Sequence, residues 1–208
     1  MFGIHDYGLF VVSAMVLILA PGQDTLYILG RSIGQGRRIG VASALGVSAG
    51  TLVHTFAAAV GLSAIVAASG VAFVAIKVIG AAYLVYLGVR AIVSHSSTLG
   101  LDTQCNGDAR NAFRQGLLTN VLNPKVALFF LAFLPQFVDG NAKDATLGFV
   151  ALGLTFVAAG TIWVVVLAVA ASSVRRFLEE RPSAQAWLSR AMGTMFIYLG
   201  VRLAASER

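Results

Sequence analysis

Ala20-Pro21-Gly22-Gln23-Asp24 interrupts the first long apolar run of the chain, and Asn123-Pro124-Lys125 interrupts another much further on. Each stretch puts a helix breaker and an ionisable group inside a segment long enough to cross a bilayer. Proline in a helix interior removes a backbone hydrogen bond and clashes with the preceding turn, at a cost of about 3 kcal/mol or more. In hydrocarbon the freed backbone groups must find other partners, so a broken spanning helix persists where it lines a cavity. A charged side chain at that depth costs at least about 2.5 kcal/mol and marks a substrate or ion path. Two such breaks in matching places point to transport.

Composition sets the class. Hydrophobic residues make up 58% of the 208 residues, mean hydropathy is +0.83, and only 12% are charged, against about 25% in soluble chains. The expectation is an all-α integral membrane protein, since about 20 apolar residues cross a hydrocarbon core of roughly 30 Å. The net charge of +6 is not a nucleic-acid signal. Its basic residues sit in short loops beside apolar segments without interleaved aromatics, where they set topology. Cys105 is the only cysteine, which excludes an internal disulfide and offers no metal-ligand spacing. Residues 1–7 lack a basic leader region, so the first apolar run is read as retained.

Working outward from the breaks, six spans are expected over 9–29, 39–62, 71–93, 117–138, 147–172 and 187–204. Arg31, Arg37 and Arg38 are placed in a Gly-rich loop after the first. In the second, Ala42, Gly46, Gly50, His54 and Ala58 recur every four residues and share a helical face, a small-residue stripe that lets another backbone approach. The stretch 94–116 is the polar linker between halves 1–93 and 117–208. Tyr86-Leu87-Gly88-Val89-Arg90 closes the third span and the same pentapeptide, Tyr198-Leu199-Gly200-Val201-Arg202, closes the sixth. The fold expected is therefore six transmembrane helices as two three-helix repeats, each opened by a proline-broken helix. An odd number of crossings inverts the second copy, the architecture of many secondary transporters. Ten basic residues fall in the odd-numbered loops and four on the opposite side, which places the odd loops in the cytoplasm and both termini outside.

Pro21-Gly22-Gln23-Asp24-Thr25-Leu26, then Arg31-Ser32 and Gly36-Arg37-Arg38-Ile39-Gly40, resembles the opening of the lysine exporter (LysE/RhtB) family of amino-acid efflux proteins. The stretch 46–61 with His54, Tyr86-Leu87-Gly88, Asn123-Pro124-Lys125 and Leu134-Pro135-Gln136-Phe137 are similar too, so the likeness covers nearly the whole chain. Gln23 departs from the family's usual Pro-Gly-Pro. The resemblance implies export of amino acids or related small metabolites across the bacterial cytoplasmic (inner) membrane, coupled to the proton motive force, with no cofactor and no enzymatic activity. It does not name the substrate, and a homo-oligomer stays open.

Asp24 is the acidic residue placed at membrane depth. It can hold a substrate ammonium, carry the coupling proton, or simply neutralise Lys125, and its charge depends on what lies beside it. Lys125 can meet a substrate carboxylate or Asp24, or snorkel to the interface. The half-helices at Pro21-Gly22 and Asn123-Pro124 expose N–H groups for an anion and carbonyls for a cation, both of which a zwitterion needs. His54 suits a proton relay or a hydrogen bond across a helix contact. Gln23, Asn120, Asn123 and Gln136 either line the cavity or satisfy backbone freed near a proline, and Tyr86 and Tyr198 are candidate interface anchors.

Other function classes fare worse. A membrane thiol relay needs paired cysteines, and a hydrolase needs a nucleophile, a base and an orienting group that Asp24 and His54 do not supply. A constitutive pore would show charge rings or a carbonyl filter, and a scaffold subunit would need no intramembrane charges. Export of another small cation or metabolite is the alternative, although one histidine and one loop thiol make a poor soft-metal site.

Overall fold

The computed structural model describes residues 2–68, 70–93, 108–140, 142–171 and 182–205. Proline chemistry divides the first span. Helix α1 runs Tyr7–Leu19 and α2 runs Gln23–Gln35, with their axes bent by 48° at the break. Ala20 is held extended at ψ 119°, as the residue before proline must be. Gly36, at φ +89°, closes α2 in a conformation that favours glycine. Helices α3 (Arg37–Ala68) and α4 (Gly70–Val93) follow.

The second broken span repeats the device. Helix α5 (Ala109–Val121) starts at Asp108, whose side chain accepts from the Arg110 amide. It ends at Leu122, and α6 (Pro124–Leu128) begins with Asn123 as its N-cap and Pro124 in the first turn, a position where its missing N–H has no helical partner to lose. The chain continues through a π turn at Phe129–Phe133 and a 3-10 turn at Leu134–Phe137, and the pair is bent by 46°. Helices α7 (Ala145–Val169) and α8 (Pro182–Ala205) complete the order. No strand occurs among the described residues, only one antiparallel bridge between Ile4 and Val138.

Among the described residues, two helices are long and apolar enough to cross a membrane, or four when each bent pair counts as one span. Helices α4 and α8, in the third and sixth expected spans, are 24 residues each. Two boundaries differ from expectation. Residues 109–116 of the expected linker are helical, because Asp108 caps a helix start there. The expected loop of Arg31, Arg37 and Arg38 is not one: Arg31 lies inside α2, only 8% exposed, and Arg37 and Arg38 open α3. Gly30 and Gly34 suggest a turn by propensity, yet tertiary packing of α2 against α3 and α5 keeps the helix going. Cys105, the rest of the linker and the charged run 175–181 lie outside the described residues.

Packing follows the small-residue stripe. A Cβ at Gly46 would lie against the Phe113 carbonyl, one at Gly116 against the Ser43 carbonyl, and one at Gly50 2.7 Å from Asn120 Cβ. Backbones of α3 and α5 are thus in direct contact. Helix α7 packs on the same helix, with Gly153 admitting Thr55, and α8 packs on α4, with a Cβ at Gly200 only 2.8 Å from the Ala81 carbonyl. Lipid tails are as apolar as leucine, so such contacts hold by close packing and hydrogen bonds rather than by hydrophobic transfer. Phe10, Phe129, Phe130, Phe133 and Phe137 form a fully buried aromatic core, with ring centroids as close as 5.1 Å for Phe133 and Phe137. Phe56, Leu122 and Ile162 face outward, as lipid-facing side chains do.

Candidate functional site

The two breaks meet. Asp24, in the first turn of α2, accepts at Oδ2 from Asn120 Nδ2 at 2.9 Å and from Asn123 Nδ2 at 3.0 Å. In the opposite direction, Lys125 Nζ reaches back to α1 and donates to the carbonyls of Ala20 at 2.9 Å and Leu17 at 3.1 Å. The carboxylate thus sits at a helix N-terminus and the ammonium at a helix C-terminus, where each complements the helix dipole. Gly22 makes room for this crossing, since a Cβ there would stand 3.1 Å from Lys125 Nζ.

The missing proline N–H explains why these donors are needed. In an unbroken helix the amide of residue 21 would bond the Leu17 carbonyl and that of residue 124 the Asn120 carbonyl. Neither proline has that proton. Lys125 supplies the bond to Leu17. At the second break the Asn120 carbonyl accepts from His54 Nε2 at 3.0 Å and from the Asn123 amide at 2.9 Å. Both orphaned carbonyls are therefore rescued from another helix, as backbone at membrane depth requires.

Asn120 is the junction of the site and 1% exposed. Its amide nitrogen holds Asp24, its side-chain oxygen accepts from Thr51 Oγ1 at 3.3 Å, and its carbonyl takes His54. Asn123, 2% exposed, caps α6 through Oδ1 on the Lys125 amide at 3.0 Å while its nitrogen serves Asp24. Both amide orientations follow from these partners.

Beside this junction lies a cavity of about 40 Å³. Asp24, Thr25, Ser48, Thr51, Asn120, Thr161 and Lys125 are its polar lining, alongside Val157, Val164 and Phe156. Asp24 Oδ1 is buried and has no hydrogen-bond partner. Asp24 and Lys125 both line the cavity, yet they form no ion pair. The arrangement offers an unused carboxylate oxygen and an ammonium group in one small space. No group of three His, Cys, Asp or Glu side chains that would hold a metal occurs among the described residues.

The residues singled out from sequence divide accordingly. Asp24, Asn120, Asn123 and Lys125 converge, with Gly22 and His54 in support. Pro21 and Pro124 shape the breaks while remaining exposed themselves. Gln23 does not line the cavity: successive helical positions point about 100° apart, so Asp24 facing inward turns Gln23 to the surface. Gln136 also falls outside the cavity, in the 3-10 turn that contributes Phe137 to the phenylalanine core. Lys125 turns inward to the α1 carbonyls, which accept two of its three N–H donors, and makes no ion pair with Asp24. His54 makes the bond across the helix contact. Tyr86 and Tyr198 are each 54% exposed and away from the site. Thr51, Tyr27 and Arg31 were not picked out from sequence, although the positions 24, 27 and 31 share one face of α2 and would have flagged two of them.

The model of the family described as LysE type translocator matches residues 15–207. An uncharacterized membrane protein of Vibrio cholerae is 30% identical over 204 residues, 98% of each chain. A leucine efflux protein of Klebsiella pneumoniae is 28% identical over 207 residues, covering 99% of this chain and 98% of its own. One of Salmonella typhimurium is 26% identical over the same length. No solved structure matches the chain.

Proposed function

This chain belongs to the LysE type translocator family, and on that premise we propose that it exports amino acids or related small metabolites from the cytoplasm by proton antiport. The reading takes the chain as six crossings in the bacterial inner membrane, two inverted three-helix units over 1–93 and 117–208 joined by the linker 94–116, with the odd loops cytoplasmic. Asp24 receives the substrate ammonium and, in the return half of the cycle, the coupling proton. Lys125 and the α6 N-terminus receive the carboxylate. Asn120 and Asn123 hold Asp24 in place, and His54 keeps the second break intact.

The observation that carries this reading is the state of Asp24: one oxygen is held by both asparagines of the opposite break, and the other is buried beside the cavity without a partner. A carboxylate so placed has a use for a cation, whether ammonium or proton, and exchange of one for the other is antiport. The cavity has room for about three waters, less than an amino acid requires, so the cycle includes a parting of its walls. The names of the Klebsiella and Salmonella relatives make leucine the first substrate to try.

The test is uptake of labelled amino acids into inside-out vesicles carrying the chain, with and without an imposed proton gradient. Gradient-dependent accumulation of leucine or another amino acid supports the reading. A chain that inserts and moves none of them overturns it.

A further inference from the structure

We propose that Arg31 is a docking point for the substrate carboxylate on the approach to the cavity, and that the contacts now holding it are the gate on that approach. The proposal rests on the exporter reading and deepens it. From Asp24 the polar face of α2 climbs through Tyr27 to Arg31, seven residues on and thus about 10 Å away. The side chain is 8% exposed. Its guanidinium donates to Gln35 Oε1 at 3.0 Å and to Gln115 Oε1 on α5, and lies 5.5 Å above the Tyr27 ring. The Tyr27 hydroxyl in turn donates to the Ala112 carbonyl on α5 at 2.7 Å.

Two features of this cluster point to an anionic guest. First, a guanidinium is a permanent cation with five N–H donors, and among the described residues no carboxylate pairs with it. Its partners are two neutral amide oxygens and an aromatic face. A buried charge so held is incompletely compensated, and a carboxylate would replace the amides with a stronger, bidentate, charge-assisted pair. Second, the cluster is a clasp. Arg31 to Gln115 and Tyr27 to Ala112 both tie α2 to α5, the same two helices that Asp24 and Asn120 join at the cavity. A carboxylate that takes Arg31 from Gln115 releases one of these ties. The substrate is then free to pass to Asp24 and Lys125, where the cavity meets both its charges.

The experiment uses the purified full chain in proteoliposomes, with labelled leucine and leucinamide as probes. The two share side chain and ammonium group and differ in the carboxylate. Arg31→Gln is expected to raise the KM for leucine roughly 10- to 100-fold, the loss of one charge-assisted hydrogen-bonded pair, and to shrink the preference of leucine over leucinamide by a similar factor. Arg31→Lys should recover part of the loss. Gln115→Leu, which removes the competing amide, should lower the KM for leucine. An Arg31→Gln protein that keeps the parental preference of leucine over leucinamide overturns the assignment and leaves the exporter reading standing. Should Arg31→Gln fail to insert, an unchanged leucine KM in Gln115→Leu overturns it equally. If another amino acid is the substrate, it and its amide replace the leucine pair. If the parent chain moves no amino acid, both readings fall.

Discussion

Lys125 Nζ donates at 3.1 Å to the carbonyl of Leu17, the carbonyl that Pro21 deprives of its helical partner. A residue of the second broken span thereby completes the first. Membrane-depth backbone cannot borrow this bond from water, so the contact completes the backbone at the break. It holds the break open while keeping a cation beside the cavity.

Replacing Lys125 by Met should leave the Leu17 and Ala20 carbonyls without a donor. An unsatisfied buried group costs about 1–3 kcal/mol, so thermal unfolding of the detergent-purified protein should shift down clearly. His54→Leu should cost less, because the Asn123 amide still serves the Asn120 carbonyl. Equal shifts in the two variants would contradict this account of the breaks.

Asp24→Asn keeps the shape of the side chain and removes its charge. The variant should insert and unfold close to the parent, while gradient-driven efflux falls by an order of magnitude or more. Transport at the parental rate with the same dependence on the proton gradient would show that the carboxylate is not the coupling group.

Asn120→Leu removes the amide that links Asp24 to Thr51. Thr51 retains its bond to the Val47 carbonyl at 3.2 Å, so the loss falls mainly on Asp24, left with Asn123 alone. Stability should drop by about 1–3 kcal/mol and efflux with it. Retained efflux in vesicles with normal protein levels would argue that Asn123 suffices.

Gly46→Ala should destabilise by about 1–3 kcal/mol, the usual effect of inserting a methyl group into a filled contact, because its Cβ meets the Phe113 carbonyl. Gly61→Ala is the control, with nothing within 4 Å of the added Cβ. Denaturation midpoints of the two proteins should separate, and coincident midpoints would mean that α3 and α5 do not pack as described.

Much of this is legible in the sequence. Pro21 and Pro124 announced both breaks, and the Gly46, Gly50, His54 spacing announced the face that packs on α5. Gly30, Gly34 and Gly36 read locally as a loop around Arg31, and only packing around α2 overrides that preference. Gln23 and Gln136 looked as eligible as Asn120 and Asn123, since residue type alone does not tell which amide turns inward.

Hydropathy, the two prolines and the charges beside them determine the membrane class and the division of the spans, because each acts through its own neighbours in the chain. Which group answers which is another matter. That Asp24 falls to Asn120 and Asn123, Lys125 to Leu17 and Ala20, and Arg31 to Gln115 was decided by the tertiary structure. These partners lie far apart in sequence, and helical periodicity specifies the face a side chain occupies but not the helix that comes to lie against it.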